Sequence, residues 1–325
     1  METRTNDLAA QLLRCPVGCA FLLTIERDQV PIEIAVTPPQ AFARAAAALG
    51  ALNPWAGDFD RTVTAALSRG ADLASLARAV VSHPQSRWWT APMDPTRQVL
   101  VIDETTYPTA ARKAPPHPIW ERIRRIFKRT SSRAASPAPN VRWEDYAQRP
   151  REWRITSTLS GGHACLDAVI PRGVGDWGVV EAHRRFAAEI DASARVCEVS
   201  SPADWHALCV SFPRVNQDPN SPAGIDTLSP DWGRVATQWD GIHLTFMGLL
   251  TAPFVRHCSV AGTTMLWSWD TEGTFWLPGD FLRAGAPLAP LDCDASEFRT
   301  VGWLMDEDLG IPEWPPIPGV IRYRR

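Results

Sequence analysis

Apolar and polar positions alternate from Phe21 to Val36, with Phe21, Leu23 and Ile25 before Asp28-Gln29 and Ile32, Ile34 and Val36 after it. This pattern predicts two short strands joined in a hairpin. From Pro39 the period becomes helical, and helices are predicted over 42–49, 60–67 and 73–81, the last with Asp72 as its cap. Gln98-Val-Leu-Val-Ile102 reads as a further strand. Just before it stand the adjacent Trp88 and Trp89, which either line a binding surface or fill a core edge.

Residues 108–140 break this regularity. Pro108, Pro115, Pro116, Pro118, Pro137 and Pro139 and a Ser/Ala tract leave too little apolar surface for a separate core, so the segment is read as a linker. One helix is predicted inside it, Ile119–Arg129, with Ile119, Trp120, Ile123, Ile126 and Phe127 on one face and the arginines on the other. Such a helix docks on its own protein, binds a partner protein or lies on an anionic membrane surface. Beyond the linker, short strands rich in β-branched and aromatic residues are predicted at 153–158, 194–199, 241–246, 264–269 and 274–277. Helices are predicted at 176–189, at 201–208 behind the Ser201-Pro202 start signal, and at 231–239 behind Ser229 or Pro230. The fold class is therefore α+β: an N-terminal α+β domain at 1–108, the linker at 109–140, and a Trp-rich α+β domain at 141–325. The second domain is expected to hold a mixed or antiparallel sheet with flanking helices.

The composition is that of a globular protein, 45% apolar and 21% charged, and the near-exclusive use of arginine over lysine points to GC-rich bacterial coding. The net charge of -3 is unevenly spread. Between Arg112 and Arg133 eight basic residues face only Glu121, so this segment carries +7 and the remainder -10. An acidic body of this kind does not suit a dedicated nucleic-acid binder, which neutralises many phosphates across a folded face. The seven cysteines are odd in number and lie in or beside apolar runs, so they read as reduced, buried thiols, and no metal site is expected. With no signal-peptide pattern and no long apolar run, a cytoplasmic location is expected.

The common catalytic motifs are absent: there is no Walker loop, no Gly-x-Ser-x-Gly elbow and no His-Glu-x-x-His. Three segments place polar residues on predicted strands. In Trp153–His163, Arg154, Thr156 and Thr158 share one strand face and Ile155 and Ser157 the other, before a Gly-Gly turn. An arginine followed by hydroxyls and glycines either holds a diphosphate, the guanidinium fork matching two oxygens, or forms a solvated strand face. In Trp239–Thr245, Asp240 and His243 form a candidate acid/base pair, with a structural histidine as the alternative. In Trp267–Leu277, Asp270 and Glu272 lie two residues apart among tryptophans. There a carboxylate either stabilises a sugar oxocarbenium ion or simply marks a hairpin turn.

A strand arginine (Arg154), a Ser-Ser pair (Ser200-Ser201) and an Asp-x-Glu (Asp270, Glu272) follow in the order of arginine, Ser-Thr-Ser and Glu-x-Glu. In this the segment 141–290 resembles the mono-ADP-ribosyltransferase superfamily. The middle motif departs from the family in reading Ser-Ser-Pro, and Asp270 stands where the family has its first glutamate. The resemblance implies nicotinamide adenine dinucleotide (NAD) as the bound dinucleotide. Residue by residue it places the dinucleotide-binding role on Arg154, the bracing serine role on Ser200 and the catalytic glutamate role on Glu272; the polar strand residues add Ser157 and Thr158 to the candidate binding set, and Asp270 and His243 to the candidate catalytic set. The implied activity is that of an ADP-ribosyltransferase-like or NAD-glycohydrolase-like enzyme. The alternative from the residues themselves is a non-enzymatic adaptor or regulator that binds a protein partner through aromatic surfaces and the basic helix.

Overall fold

The N-terminal region is helical: α1 (Glu2–Leu13), α2 (Pro16–Asp28), α3 (Ile32–Ala35), α4 (Pro38–Ala51), α5 (Phe59–Ser68) and α6 (Ala74–Ser82). The computed structural model describes residues 2–52, 59–103, 154–157, 183–216, 227–266, 269, 272–277, 280–288 and 309 of the 325. The hairpin predicted over 20–36 does not form, because α2 and α3 occupy that stretch. Every residue from Pro16 to Ile25 is buried, so the alternation of Phe21, Leu23 and Ile25 belongs to a helix covered on all sides, a case that periodicity cannot separate from a strand. Pro16 opens α2, and Gln29 closes it in the left-handed region at φ 50°. Helices α4, α5 and α6 lie where they were predicted, but Asp72 does not cap α6. Leu73 holds the cap position, and Asp72 pairs with Arg69 at 3.4 Å. Among the described residues no single helix is long and apolar enough to cross a membrane. Only α1 and α2 together have the length and composition, and they are bent by 95° at their junction.

Eleven strands are described: β1 (Val99–Asp103), β2 (Arg154–Ser157), β3 (His183–Ile190), β4 (Val196–Val199), β5 (Pro213–Asn216), β6 (Thr227–Pro230), β7 (Gly241–Leu244), β8 (His257–Ser259), β9 (Gly262–Thr264), β10 (Gly273–Trp276) and β11 (Leu282–Pro287). They make a seven-stranded sheet in the order β11-β3-β1-β2-β10-β7-β4 and a four-stranded sheet in the order β5-β6-β9-β8. Both are mixed. The large sheet is antiparallel except for β4 beside β7, and the small one is antiparallel except for β6 beside β9. Between and after the strands come α7 (Pro202–Ser211), α8 (Trp232–Val235) and α9 (Phe246–Thr251). The expected mixed sheet with flanking helices is thus what the chain forms.

Three local expectations fail for identifiable reasons. The part of the predicted helix 176–189 that is described, from His183 on, is strand β3. It is hydrogen-bonded on both sides, to β1 and β11, and Phe186, Ala188 and Ile190 pack at a period of two into a small apolar cluster with Leu100, Trp276 and Leu282. The strand predicted at 264–269 ends at Thr264, beyond which Trp269 turns into the core, its ring 4.1 Å from that of Phe275. The strand predicted at 241–246 stops at Leu244 because Thr245 caps α9, its hydroxyl accepting from the Gly248 N–H at 3.0 Å. Gly248 is required there, since a Cβ would collide with the Val199 carbonyl oxygen. Helix α7 starts behind Ser201 as predicted, whereas α8 is capped by Asp231 rather than by Ser229 or Pro230.

The helices and the sheets share one hydrophobic core. Phe246 of α9 packs between Phe21 and Trp89, with ring centroids 6.1 and 5.1 Å away, so Trp89 and its neighbour Trp88 fill a core edge. Strand β1, on the N-terminal side of the linker, pairs with β2 and β3 from the C-terminal side. The sheet and the core therefore cross the boundary drawn at 109–140. The predicted linker and the basic helix predicted at Ile119–Arg129 lie outside the described residues.

Candidate functional site

One face of the large sheet, carrying Ile242, Leu244, Phe275 and Val199, is packed into the main core. The alternate positions belong to the opposite face. There the register aligns Glu198 of β4 with His243 of β7, His243 with Thr274 of β10, and Thr274 with Thr156 of β2. A polar row thus runs across four neighbouring strands beside the Leu100–Trp276–Leu282 cluster.

Four side chains on these strands, or in the lead into β10, are joined end to end. Glu198 Oε1 accepts from the Met93 backbone N–H at 2.9 Å, and its Oε2 lies 2.5 Å from His243 Nδ1. His243 Nε2 lies 3.2 Å from Glu272 Oε1, and Glu272 Oε2 accepts from the Ser157 hydroxyl at 2.6 Å. His243, Glu272 and Ser157 are each no more than 3% exposed, while the Glu198 side chain is 34% exposed, so the chain of contacts runs from a solvent-facing carboxylate inward. Burial by itself would lower the histidine's proton affinity, but its hydrogen bonds to both carboxylates, and their charges, overcome it and raise His243 from 6.5 to about 9. The two carboxylates thus favour the imidazolium form, which can donate at each nitrogen.

A second thread lies alongside. The Thr156 hydroxyl donates to Gln98 Oε1 at 2.7 Å and accepts from Trp276 Nε1 at 2.9 Å. The Thr274 hydroxyl, between His243 and Thr156 in the register, is buried and has no hydrogen-bond partner among the described residues.

Of the residues singled out in the sequence, the structure joins His243, Glu272 and Ser157. Asp240 is not the partner of His243. Its carboxylate is held by the Arg195 backbone N–H at 2.7 Å and by the Arg195 guanidinium at 3.1 Å, which keeps it below the usual carboxylate range. Ser200 is bonded elsewhere, accepting from Thr245 Oγ1 at 3.2 Å and donating its N–H to Asp204. It sits at the end of β4, at the sheet edge, three strands from Ser157. The backbone of Arg154 pairs with Trp276, next to this row. Asp270 and Thr158 lie outside the described residues.

The residue that sequence reasoning missed is Glu198. Its signal was present, a carboxylate alternating with Cys197 and Val199 on a strand whose neighbours are apolar, but nothing in the sequence says which strand lies beside it.

The cysteines at 15, 19 and 209 are buried thiols. Burial first of all pushes Cys15 and Cys19 up to about 12, and Cys15 donates to the Thr251 carbonyl at 2.8 Å. Cys258 is an exception to the sequence reading, being exposed. Among the described residues no group of three or more His, Cys, Asp or Glu side chains is arranged to hold a metal ion. No protein-family model, no curated protein and no solved structure matches the chain.

Proposed function

We propose that the chain is an ADP-ribosyltransferase-like or NAD-glycohydrolase-like enzyme whose working group is the Glu272 carboxylate. The observation that carries this reading is the convergence of Ser157, His243 and Glu272, which are far apart in sequence, on one hydrogen-bonded chain. Both oxygens of Glu272 are held, so its orientation is set before any substrate arrives. In the proposed reaction the bond between the ribose C1′ and the nicotinamide nitrogen breaks, and its electron pair leaves with neutral nicotinamide. The positive charge that develops on the ribose is stabilised by the Glu272 carboxylate. Water or an acceptor side chain then adds to C1′, and its proton passes to solvent.

NAD is the substrate in this scheme. Arg154, at the head of the strand that carries Ser157, is the proposed diphosphate ligand. The buried hydroxyl of Thr274 is a group that a bound molecule would complete, because an unpaired buried donor is costly. Glu272 is only 3% exposed, so a substrate reaches it by displacing whatever covers it.

The same burial favours a second reading. In a non-enzymatic adaptor the Glu–His–Glu–Ser chain is a structural spine of the sheet, and the working surface is the basic helix Ile119–Arg129 against a protein partner or an anionic membrane.

Incubation of the full chain with NAD, followed by chromatography, tests the enzyme reading. Free nicotinamide with free ADP-ribose marks a glycohydrolase, and free nicotinamide with ADP-ribose on protein marks a transferase. Absence of nicotinamide leaves the adaptor.

A further inference from the structure

We infer that Glu198 is a positioning residue of this site: it holds His243 in the doubly protonated, cationic form whose Nε2–H then keeps Glu272 oriented. This inference rests on the reading of Glu272 as the working group. A neutral imidazole carries one N–H and one lone pair, whereas an ionised carboxylate only accepts. A ring with a carboxylate oxygen at each nitrogen, 2.5 and 3.2 Å away, therefore has no neutral tautomer that satisfies both sides. Either the ring is the cation or one carboxylate takes the proton. Among the described residues, the charged groups acting on the ring are Glu198, from β4, and Glu272, from the lead into β10. Asp240, at the other end of β7, is already matched by Arg195.

Glu198 is suited to decide between these states. The parallel register sets it directly beside His243, and the Met93 N–H pins its other oxygen, so it cannot swing away without breaking two bonds. With Glu198 ionised, the ring keeps both protons and Glu272 receives an N–H. If that charge is removed, the ring loses much of its hold on the second proton, and one of its nitrogens is left with a bare lone pair toward residue 198 or toward Glu272. The protonation of the ring that faces the inner carboxylate is thus set from the outer, solvent-reached end of the chain, through an imidazole that need not touch substrate.

The test is nitrogen NMR of the full chain labelled at histidine, titrated from acid to mildly alkaline pH, with the His243 signals assigned by their loss in His243→Gln. In the wild type both ring nitrogens are expected to carry protons near neutral pH. Glu198→Gln keeps a carbonyl for Nδ1–H but removes the charge, and it is expected to lower the titration midpoint by about one to three pH units. Glu198→Asp should restore it in part. A wild-type ring that is already neutral near pH 7 overturns the proposal. So does an unchanged midpoint in a Glu198→Gln variant that circular dichroism shows to be folded. If that variant does not fold, the wild-type titration decides alone. The readout needs no activity, so an inactive wild type would remove the enzyme reading while the titration still answers for Glu198.

Discussion

Raising the pH from about 6.5 to 8.5 should destabilise this protein, and His243 is the reason. Its proton affinity in the folded chain corresponds to about 9, against an ordinary 6.5. The folded state therefore holds a proton that the unfolded state releases. The resulting stabilisation is complete below 6.5 and is lost as pH rises toward 9. A gap of that size is worth about 3 kcal/mol in total, with a slope that approaches ~1.4 kcal/mol per pH unit in the middle of the window. Among the described residues, His206, whose proton affinity burial lowers, acts around and below 6.5 with the opposite sign, and the cysteines raised by burial, Cys197 to about 11 and Cys15 and Cys19 to about 12, add to the loss with the same sign only as pH approaches 9, so the slope between 6.5 and 8 is the histidine's. Asp28 and Asp240, both held down by arginine partners, matter only in acid. Urea unfolding at several pH values across the window measures the slope directly, and His243→Gln should flatten it whatever that variant's absolute stability. A wild-type curve that is flat or rising between 6.5 and 8.5 would refute the imidazolium and, with it, the electrostatics of the site.

Two further outcomes follow from the packing. Cutting the chain within 109–140 should leave two fragments that elute together on gel filtration under native conditions, because β1 is hydrogen-bonded between β2 and β3 and the helices share the core of the sheet; separate, well-behaved fragments would contradict the shared core. Arg44→Ala should cost about 3 kcal/mol in urea unfolding, since the guanidinium is buried and serves both the Thr24 carbonyl and the Asp28 carboxylate at 2.8 Å, and a loss below about 1 kcal/mol would show the pair to be dispensable.

Parts of this fold were legible in the sequence because they carry local signals. Ser201-Pro202 announces α7, the helical period of 42–49 announces α4, and the β-branched and aromatic run at 274–277 announces β10. The failures share one cause. In α2 the helix is buried all round and in β3 the apolar positions are few, so period and burial no longer point to the same element. At the site, His243 and Glu272 stood out as polar residues within predicted strands. Their partners could not be read, because a contact across a sheet depends on strand order. Asp240 is three residues from His243 in sequence and bonds Arg195, whereas Glu198 is 45 residues away and bonds the ring.

The central claim is that Glu272 works rather than merely supports, and paired measurements on Glu272→Gln test it most directly. The amide keeps the shape and can still accept from Ser157, and Glu198 still matches the imidazolium. The variant should therefore stay folded at a cost of about 1–2 kcal/mol, while the nicotinamide release from NAD expected of the wild type falls to background. A wild type that releases no nicotinamide, together with a variant destabilised by about 3–5 kcal/mol, would contradict the account and leave the Glu198–His243–Glu272–Ser157 chain as a structural spine.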